Sequence, residues 1–163
     1  MNINPYVKDF IEEHIDLIED HRFGELWEFA EEELTAFSHL VPHVLYEAGV
    51  NLMEYVGDTL PDGFMTDSDL KSIYVPDNIS RIGGGAFSFT PNLEELSIPK
   101  KCQLGQEILF DSRCQVIDYR GTLEEMHRFT NLFKCGEVQN WHTGSAVLFI
   151  RTADGHKVNC YDG

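Results

Sequence analysis

The sequence predicts an α+β fold in which an N-terminal helical domain caps a short solenoid, closed by a helix and a β-hairpin. Three observations lead to this class. A phenylalanine returns at a constant 23-residue interval, as Phe64, Phe87 and Phe110. Short segments of alternating apolar residues return with it. Before residue 60 the apolar residues instead follow a helical period, and acidic residues concentrate there. Repeats of this length bury their apolar faces only by stacking on one another.

The repeating unit is clearest between Leu70 and Phe87. Ile73 and Val75 alternate with less apolar neighbours, which predicts a short strand with one buried face. Pro76 then ends the strand, because proline cannot donate a hydrogen bond to a sheet. The pattern returns at the phenylalanine interval, and a third, shortened unit follows. The corresponding residues are Leu96, Ile98 and Pro99 in the second unit, and Ile117 and Tyr119 in the third.

Residues between the strands are predicted to shape the turns and fill the core. Glycines 83–85 permit tight turning. The Phe87 side chain is expected to be buried in the core, and Phe110 is expected to occupy an equivalent buried environment in the next unit. Cys102 and Cys114 occupy apolar repeat positions, so buried thiols are favoured over a disulfide framework. The four cysteines show no Cys-x-x-Cys spacing, which argues against a zinc ribbon.

These motifs resemble the leucine-rich repeats of the BspA type. The family pattern appears here as Leu70, Ile73, Val75-Pro76, Ile82-Gly83 and Ala86-Phe87, in that order. The segment 117–125 is also similar to the Tyr-x-Gly-Thr-x-Glu-Glu segment that ends many such arrays. The resemblance covers residues 56–163, taken as a second domain, and implies a leucine-rich-repeat solenoid. It implies a binding surface and is nearly silent on activity, since architecture defines the family.

Residues 1–55 are predicted to form an acidic domain of three helices. Asn4 is a favourable N-cap, Pro5 suits the first helical position, and Gly49 is a natural C-terminal stop. Pro42 either opens or breaks the third helix, which is predicted within 36–48. The helical period assigns to the buried faces Phe10, Ile11, His14, Ile15 and Ile18, then Leu26, Trp27, Phe29, Ala30 and Leu34, and finally Val44, Leu45 and Ala48.

The chain is predicted to close with a helix and a hairpin. Thr122 begins a capping box for a helix that runs to Phe133. Residues 146–151 have the pattern of a strand, and residues 156–161 form its predicted return. The Asp154-Gly155 pair between them favours a tight hairpin turn.

Charge is the second strong feature of the sequence. The chain carries −16 at neutral pH, and residues 1–60 hold 14 Asp and Glu against Lys8 and Arg22, a net of −12. This charge repels nucleic-acid phosphates and attracts a basic protein surface, although a charge run also serves as a solvated face. The carboxylates predicted to contact a partner are Glu12, Glu13, Asp16, Glu19, Asp20, Glu28, Glu31 and Glu32.

Candidate catalytic and metal-binding residues are sparse. His39 and His43 stand four apart, as metal ligands on one helix do. No third ligand has a matching spacing, and Pro42 lies between them. We therefore expect no metal, no cofactor and no catalytic residues. A metal-assisted hydrolase built around this histidine pair is the least favoured alternative.

The sequence predicts a non-enzymatic protein-binding module. The favoured interpretation is a small accessory or inhibitor protein whose acidic helices engage a basic partner. The resemblance adds bacterial and phage proteins as a context, so one candidate is a phage inhibitor of a host nucleic-acid enzyme or defence system that mimics DNA. The alternative is recognition through the solenoid face, near Tyr74 and Arg81. The start lacks the pattern of a signal peptide and no apolar stretch reaches about 20 residues, so a cytoplasmic protein without membrane partners is expected.

Overall fold

The computed structural model describes residues 4–130 and 149–159. This part of the chain has a mixed α+β fold with five α-helices and two β-sheets. Two short 3₁₀ helices, Thr35–Phe37 and Leu52–Tyr55, lie before and after the fourth helix. The α-helices are α1 (Pro5–Glu13), α2 (Ile15–Glu19), α3 (Phe23–Glu33), α4 (Leu40–Glu47) and α5 (Leu123–Phe129).

The strands form two sheets, and consecutive strands alternate between them as far as β6. The smaller sheet has the order β1-β3-β5 and the larger has the order β2-β4-β6-β7-β8. All neighbours are parallel except the β7–β8 hairpin. The strands are β1 (Thr59–Leu60), β2 (Ser72–Tyr74), β3 (Arg81–Ile82), β4 (Glu95–Ile98), β5 (Gln103–Leu104), β6 (Val116–Tyr119), β7 (Phe149–Arg151) and β8 (Lys157–Asn159).

The backbone conformation recurs at a 22-residue interval, and one such interval is one turn of the chain through both sheets. Side-chain hydrogen bonds join residues at this separation in neighbouring turns. In the smaller sheet, Thr59 pairs with Arg81 and Arg81 pairs with Gln103, so both offsets equal this interval. In the larger sheet the offset from β2 to β4 is one residue longer, and that from β4 to β6 is one residue shorter. Left-handed backbone angles recur at the same interval, at Gly63, Gly85 and Glu107 and again at Asp67, Phe89 and Asp111.

The evenly spaced phenylalanines do not occupy equivalent positions. Hydrogen bonds between successive turns place Met65, Phe87 and Leu109 in register. All three are fully buried, whereas Phe110 is half-buried and packs edge-on against the exposed Phe89. The prediction that Phe87 and Phe110 share equivalent environments is therefore wrong. Because the backbone recurs every 22 residues here and the phenylalanines every 23, each successive phenylalanine moves one residue out of register.

Two glycines at equivalent positions allow successive turns to approach closely. A Cβ atom at Gly83 would lie 2.5 Å from the Asp62 amide nitrogen, and one at Gly105 would lie 2.6 Å from the Gly84 nitrogen. Backbone atoms this close leave no room for any side chain. Gly83 thus permits the turn through its missing Cβ atom rather than through an unusual φ angle.

The predicted strand pattern is confirmed. Pro76 follows β2 after one further residue, and Pro99 follows β4 directly. Ser72 and Tyr74 face solvent while the residues between and after them are buried, as alternation requires. The predicted inward residues are all buried, namely Ile73, Val75, Leu96, Ile98, Ile117 and Tyr119.

The first helix begins as predicted but is shorter than its apolar pattern suggests. The Asn4 side chain accepts hydrogen bonds from two backbone amides of the first turn. Helix α1 ends at Glu13, and a break at His14 separates it from α2. The break changes which residues of the next turn face the core. Ile15, predicted to be buried, is exposed, and Leu17 is buried in its place.

Two more residues predicted for the core are exposed. One is Phe29 on α3, and the other is Ala48, which caps the C-terminal end of α4. Pro42 is the third residue of α4 and therefore opens the helix, because the amides of the first turn have no intrahelical partner to lose. Gly49 follows α4 with a φ angle of +92°, which confirms it as the stop.

The helical region covers one edge of the larger sheet. Strand β2 lies at this edge, where the Tyr74 amide donates a hydrogen bond to the Tyr46 hydroxyl at 3.0 Å. The Asn51 side chain donates to the Tyr74 carbonyl at 2.8 Å. The rings of Trp27 and Phe64 pack with 5.0 Å between their centroids. One continuous apolar core therefore runs from α1 to β7, and this edge is not open for pairing with another strand.

The closing helix and hairpin are confirmed where the structure describes them. Thr122 and Glu125 form the predicted capping box of α5. Helix α5 ends at Phe129, earlier than predicted, because Thr130 is extended. Strands β7 and β8 pair around the Asp154-Gly155 turn. The remaining parts of these predictions lie outside the described residues, namely 131–133, 146–148 and 160–161, and so do Cys135 and Cys160.

Candidate partner-binding surface

The eight carboxylates predicted to contact a partner all lie at the protein surface. They lie on or next to three consecutive helices whose opposite sides supply apolar residues to the core, so the acidic sides face water. The exposed residues are Glu12 and Glu13 on α1, Asp16 and Glu19 on α2, Asp20 directly after α2, and Glu28, Glu31 and Glu32 on α3.

These carboxylates have few basic neighbours. Lys8 and Arg22 are the only lysine or arginine residues before residue 60, and Arg22 pairs with Glu25. Among the residues that the structure describes, none of the eight carboxylates forms an ion pair with a lysine, arginine or histidine. A surface of one sign that is not neutralised attracts groups of the opposite sign.

Two of the predicted carboxylates line a groove between α3 and the segment that leads into and past β1. Glu28 and Glu31 face this groove, whose volume is about 510 Å³. Trp27, Tyr55 and Pro61 also line it. Two carboxylates beside aromatic rings form an environment that suits a lysine or arginine side chain.

A third predicted carboxylate lies at the seam between α1 and α3. Glu13 stands close to His14 and Glu33. The Nε2 atom of His14 is 2.7 Å from a carboxylate oxygen of Glu33, and its ring stacks on Phe29 with 5.0 Å between centroids. The structure places the other predicted residues outside both groups, as exposed side chains: Glu12, Asp16, Glu19, Asp20 and Glu32.

Sequence analysis missed the exposed apolar residues of this surface. Tyr6 is 65 % exposed, Ile15 44 %, Phe29 40 % and Phe37 38 %. The rings of Tyr6 and Phe37 stack at 5.4 Å, with 11° between their planes. Tyr6, at the start of α1, contacts the segment after α3, whereas His14, directly after α1, contacts Phe29 within α3. Periodicity assigns Ile15 and Phe29 to the core, and no pattern in the sequence marks Tyr6 or Phe37 as a surface pair.

His43 occupies a buried, hydrogen-bonded position that the sequence did not predict. Its Nε2 atom lies 3.0 Å from carboxylate oxygens of both Glu47 and Asp69. Its Nδ1 atom lies 2.9 Å from the hydroxyl of Ser68, which itself accepts a hydrogen bond from the Leu70 amide. The Ser68 hydroxyl proton can therefore go to Nδ1, and Nε2–H then donates to the carboxylates. Both ring nitrogens are satisfied by protein groups alone.

We expect purified protein to carry no stoichiometric zinc. His39 lies 3.5 Å from Asp67, and no metal-sized group of side chains within the described residues joins it to His43. His43, Glu47 and Asp69 do meet the distance requirement for a metal ion, but one histidine with two carboxylates lacks the four ligands of structural zinc and the second histidine of the His₂Glu catalytic set. Elemental analysis checks this. One zinc per chain, lost in His43→Ala and kept in His39→Ala, would contradict the expectation and favour the hydrolase alternative.

The strand surface near Tyr74 differs from the prediction. Tyr74 is exposed on β2, whereas Arg81 lies on β3, a strand of the other sheet. Arg120 instead lies over the Tyr74 ring, 4.1 Å from its centroid, and donates to the Asp77 carboxylate at 3.0 Å. These residues border a second groove of about 510 Å³, which Lys100 and Lys101 also line.

The two described cysteines are buried thiols. Burial raises the pKa of both Cys102 and Cys114 to about 12. Each thiol therefore stays protonated at neutral pH and is a poor nucleophile.

No family model, no curated protein and no solved structure matches this chain. Within the described ranges, no helix combines the length and the apolar character needed to cross a membrane. The function is therefore inferred from the chemistry of the surface. Carboxylates without ion-pair partners, beside exposed aromatic rings, can bind cationic groups.

Proposed function

We propose that this chain is a non-enzymatic protein-binding module whose acidic helical surface engages a basic surface on a partner. One observation carries the proposal: eight exposed carboxylates lie along α1–α3, and none is paired with a described cation. The net charge of −12 in residues 1–60 exceeds the magnitude of about 2–8 that suffices to keep a small domain soluble.

Such a charge concentration has a cost and a benefit. Like charges repel one another and weaken the compact state, whereas the summed field accelerates encounter with an oppositely charged partner. An acidic surface that serves binding offsets this cost in the complex, where basic groups of the partner neutralise the carboxylates.

The strands provide the scaffold in this proposal. We take the two sheets to be a short leucine-rich-repeat solenoid of the BspA type, with the helices as its N-terminal cap. The support is the regular recurrence of strand register and of left-handed backbone positions. Terminal units of such arrays need a cap with a polar outer face, and the acidic helices provide one.

The most specific candidate is a cytoplasmic phage inhibitor of a host nucleic-acid enzyme or defence system. A dense array of carboxylates carries the same sign of charge as a phosphate backbone, so it can occupy a basic nucleic-acid channel as a DNA mimic. The same charge argues against direct binding of nucleic acid by this chain. If the partner is such an enzyme, duplex DNA should compete with the chain for it.

A second candidate surface is the groove beside Tyr74 and Arg120. Its lining includes Lys100 and Lys101, which makes it a basic site in an acidic chain. If the partner binds this groove through an acidic segment, the acidic helices take no part in binding and serve only as a cap.

The first experiment is capture of the partner with the tagged full chain from its native host, with identification by mass spectrometry. With the partner in hand, we expect its association rate constant to fall by about 10-fold to 1000-fold from low to high salt. Exposed charges are screened beyond about 8 Å at physiological ionic strength, so electrostatic steering disappears as salt rises. Stopped-flow kinetics over a salt series measure this. A rate constant that does not change with salt would contradict the proposal.

A further inference from the structure

We propose that the seam between α1 and α3 binds arginine side chains of the partner. The inference rests on the proposed function and adds the chemistry of recognition. The site consists of Tyr6, Phe29 and Phe37, which we call the aromatic seam, with Glu13 and Glu33 beside it.

The aromatic seam is built from two stacked ring pairs. Tyr6 stacks on Phe37 near the start of α1, and Phe29 stacks on His14 near its end. The rings remain 38–65 % exposed although each already contacts another ring. Each stacked ring restricts the motion of the other. The rings therefore lose little further side-chain freedom when a partner binds to their exposed faces.

The core does not require these side chains. Helix α3 already buries Phe23, Leu26, Trp27 and Ala30 on its other side, and α1 buries Val7 and Phe10. Exposed aromatic groups that are close together and rimmed by charge are typical of interaction sites.

The surrounding charge selects the occupant. Glu33 and Glu13 lie at the His14 end of the seam, and Glu32, three residues after Phe29, lies one helical turn from it on α3. These carboxylates repel nucleic acid and anionic lipid. They also repel a second copy of this chain, whose net charge is −16. A basic protein segment remains as the occupant.

Arginine satisfies both parts of the site at once. Its planar guanidinium stacks on an aromatic ring and donates parallel hydrogen bonds to a carboxylate, whereas the compact lysine ammonium makes weaker stacking contacts. The chain itself contains this arrangement at another place, where Arg120 lies over Tyr74 and donates to Asp77.

The test uses two fluorescent synthetic peptides of equal length, one of alternating arginine and alanine and one of alternating lysine and alanine. We expect the full chain to bind the arginine peptide about fivefold more tightly than the lysine peptide. The double variant Tyr6→Ala/Phe29→Ala should bind both peptides equally. Tyr6→Leu/Phe29→Leu, which keeps apolar area but removes the rings, should behave in the same way. The matched control Phe89→Ala, at an exposed ring on the strand side, should keep the preference.

Failure of this inference differs from failure of the proposed function. If both peptides bind through the acidic surface but the arginine preference is absent, or survives in both double variants, the aromatic seam is not the site. If neither peptide binds at low salt, the proposed function fails with it. Binding of the full chain to phosphatidylcholine vesicles, or dimerisation that the double variants abolish, would also overturn the assignment to a basic protein segment.

Discussion

Replacing Phe87 with alanine is expected to lower the free energy of unfolding by about 3–5 kcal/mol. The ring is fully buried and stands in register with Met65 and Leu109 of the neighbouring turns. The variant loses the transfer free energy of the ring and leaves a cavity that close-packed neighbours cannot fill completely. Urea denaturation, followed by circular dichroism, measures the change from the shift in midpoint at constant slope.

The matched control for this variant is Phe110→Ala. Phe110 is half-buried and lies directly after Leu109, the residue that is in register with Phe87. Its loss should cost less than about 2 kcal/mol, and the loss of the exposed Phe89 should cost less still. Equal losses at Phe87 and Phe110 would contradict the backbone register and restore the register that the phenylalanine spacing predicts.

Reversing Glu28, Glu31 and Glu32 to lysine is expected to weaken binding of a basic partner by about 2–5 kcal/mol. Three attractive charges become three repulsive ones on the face that the partner approaches. The three side chains are exposed and make no ion pair with a described residue, so the fold should be retained. Isothermal titration calorimetry gives the affinity, and thermal unfolding checks the fold. A large drop in melting temperature would show that these residues support the structure instead.

The strands and caps could be predicted from the sequence because their signals are local. Pro76 and Pro99 end strands, Asn4 begins a helix, and Thr122 with Glu125 forms a capping box. Each signal depends on a hydrogen bond that the caps form, or that proline cannot donate, within a few residues. The apolar alternation of the strands likewise needs no knowledge of distant contacts.

The repeat length could not be obtained from residue identity alone. The three phenylalanines share one interval by coincidence, while the larger sheet takes a longer step from β2 to β4 and a shorter one from β4 to β6. The turns between strands absorb the difference. The sequence does contain a weaker trace of the backbone register, since Gly63 and Gly85 stand at equivalent left-handed positions of successive turns.

The candidate site was predictable in charge but not in its apolar part. Acidic residues outside the apolar stripe of a helix are exposed in nearly any packing of that helix. The exposure of the eight carboxylates could therefore be predicted from the helical pattern. Ile15 and Phe29 were assigned to the core by the same pattern. The break at His14 changed the exposed face of α2, and the ring of Phe29 stacks on His14 at the surface. Such contacts between helices are not encoded in the periodicity of either one.

Whether the acidic helices or the strands bind the partner is decided most directly by two dissociation constants measured side by side. One variant carries Glu28, Glu31 and Glu32 reversed to lysine, and the other carries alanine at Tyr74, Lys100 and Lys101, which line the groove on the strand side. We predict that the first variant loses at least about 30-fold in affinity for the captured partner while the second stays within about threefold of the unmodified chain. Unchanged binding by the glutamate variant, with loss of binding by the strand variant, would contradict the proposal. The acidic helices would then be a cap, and the strands would form the binding surface.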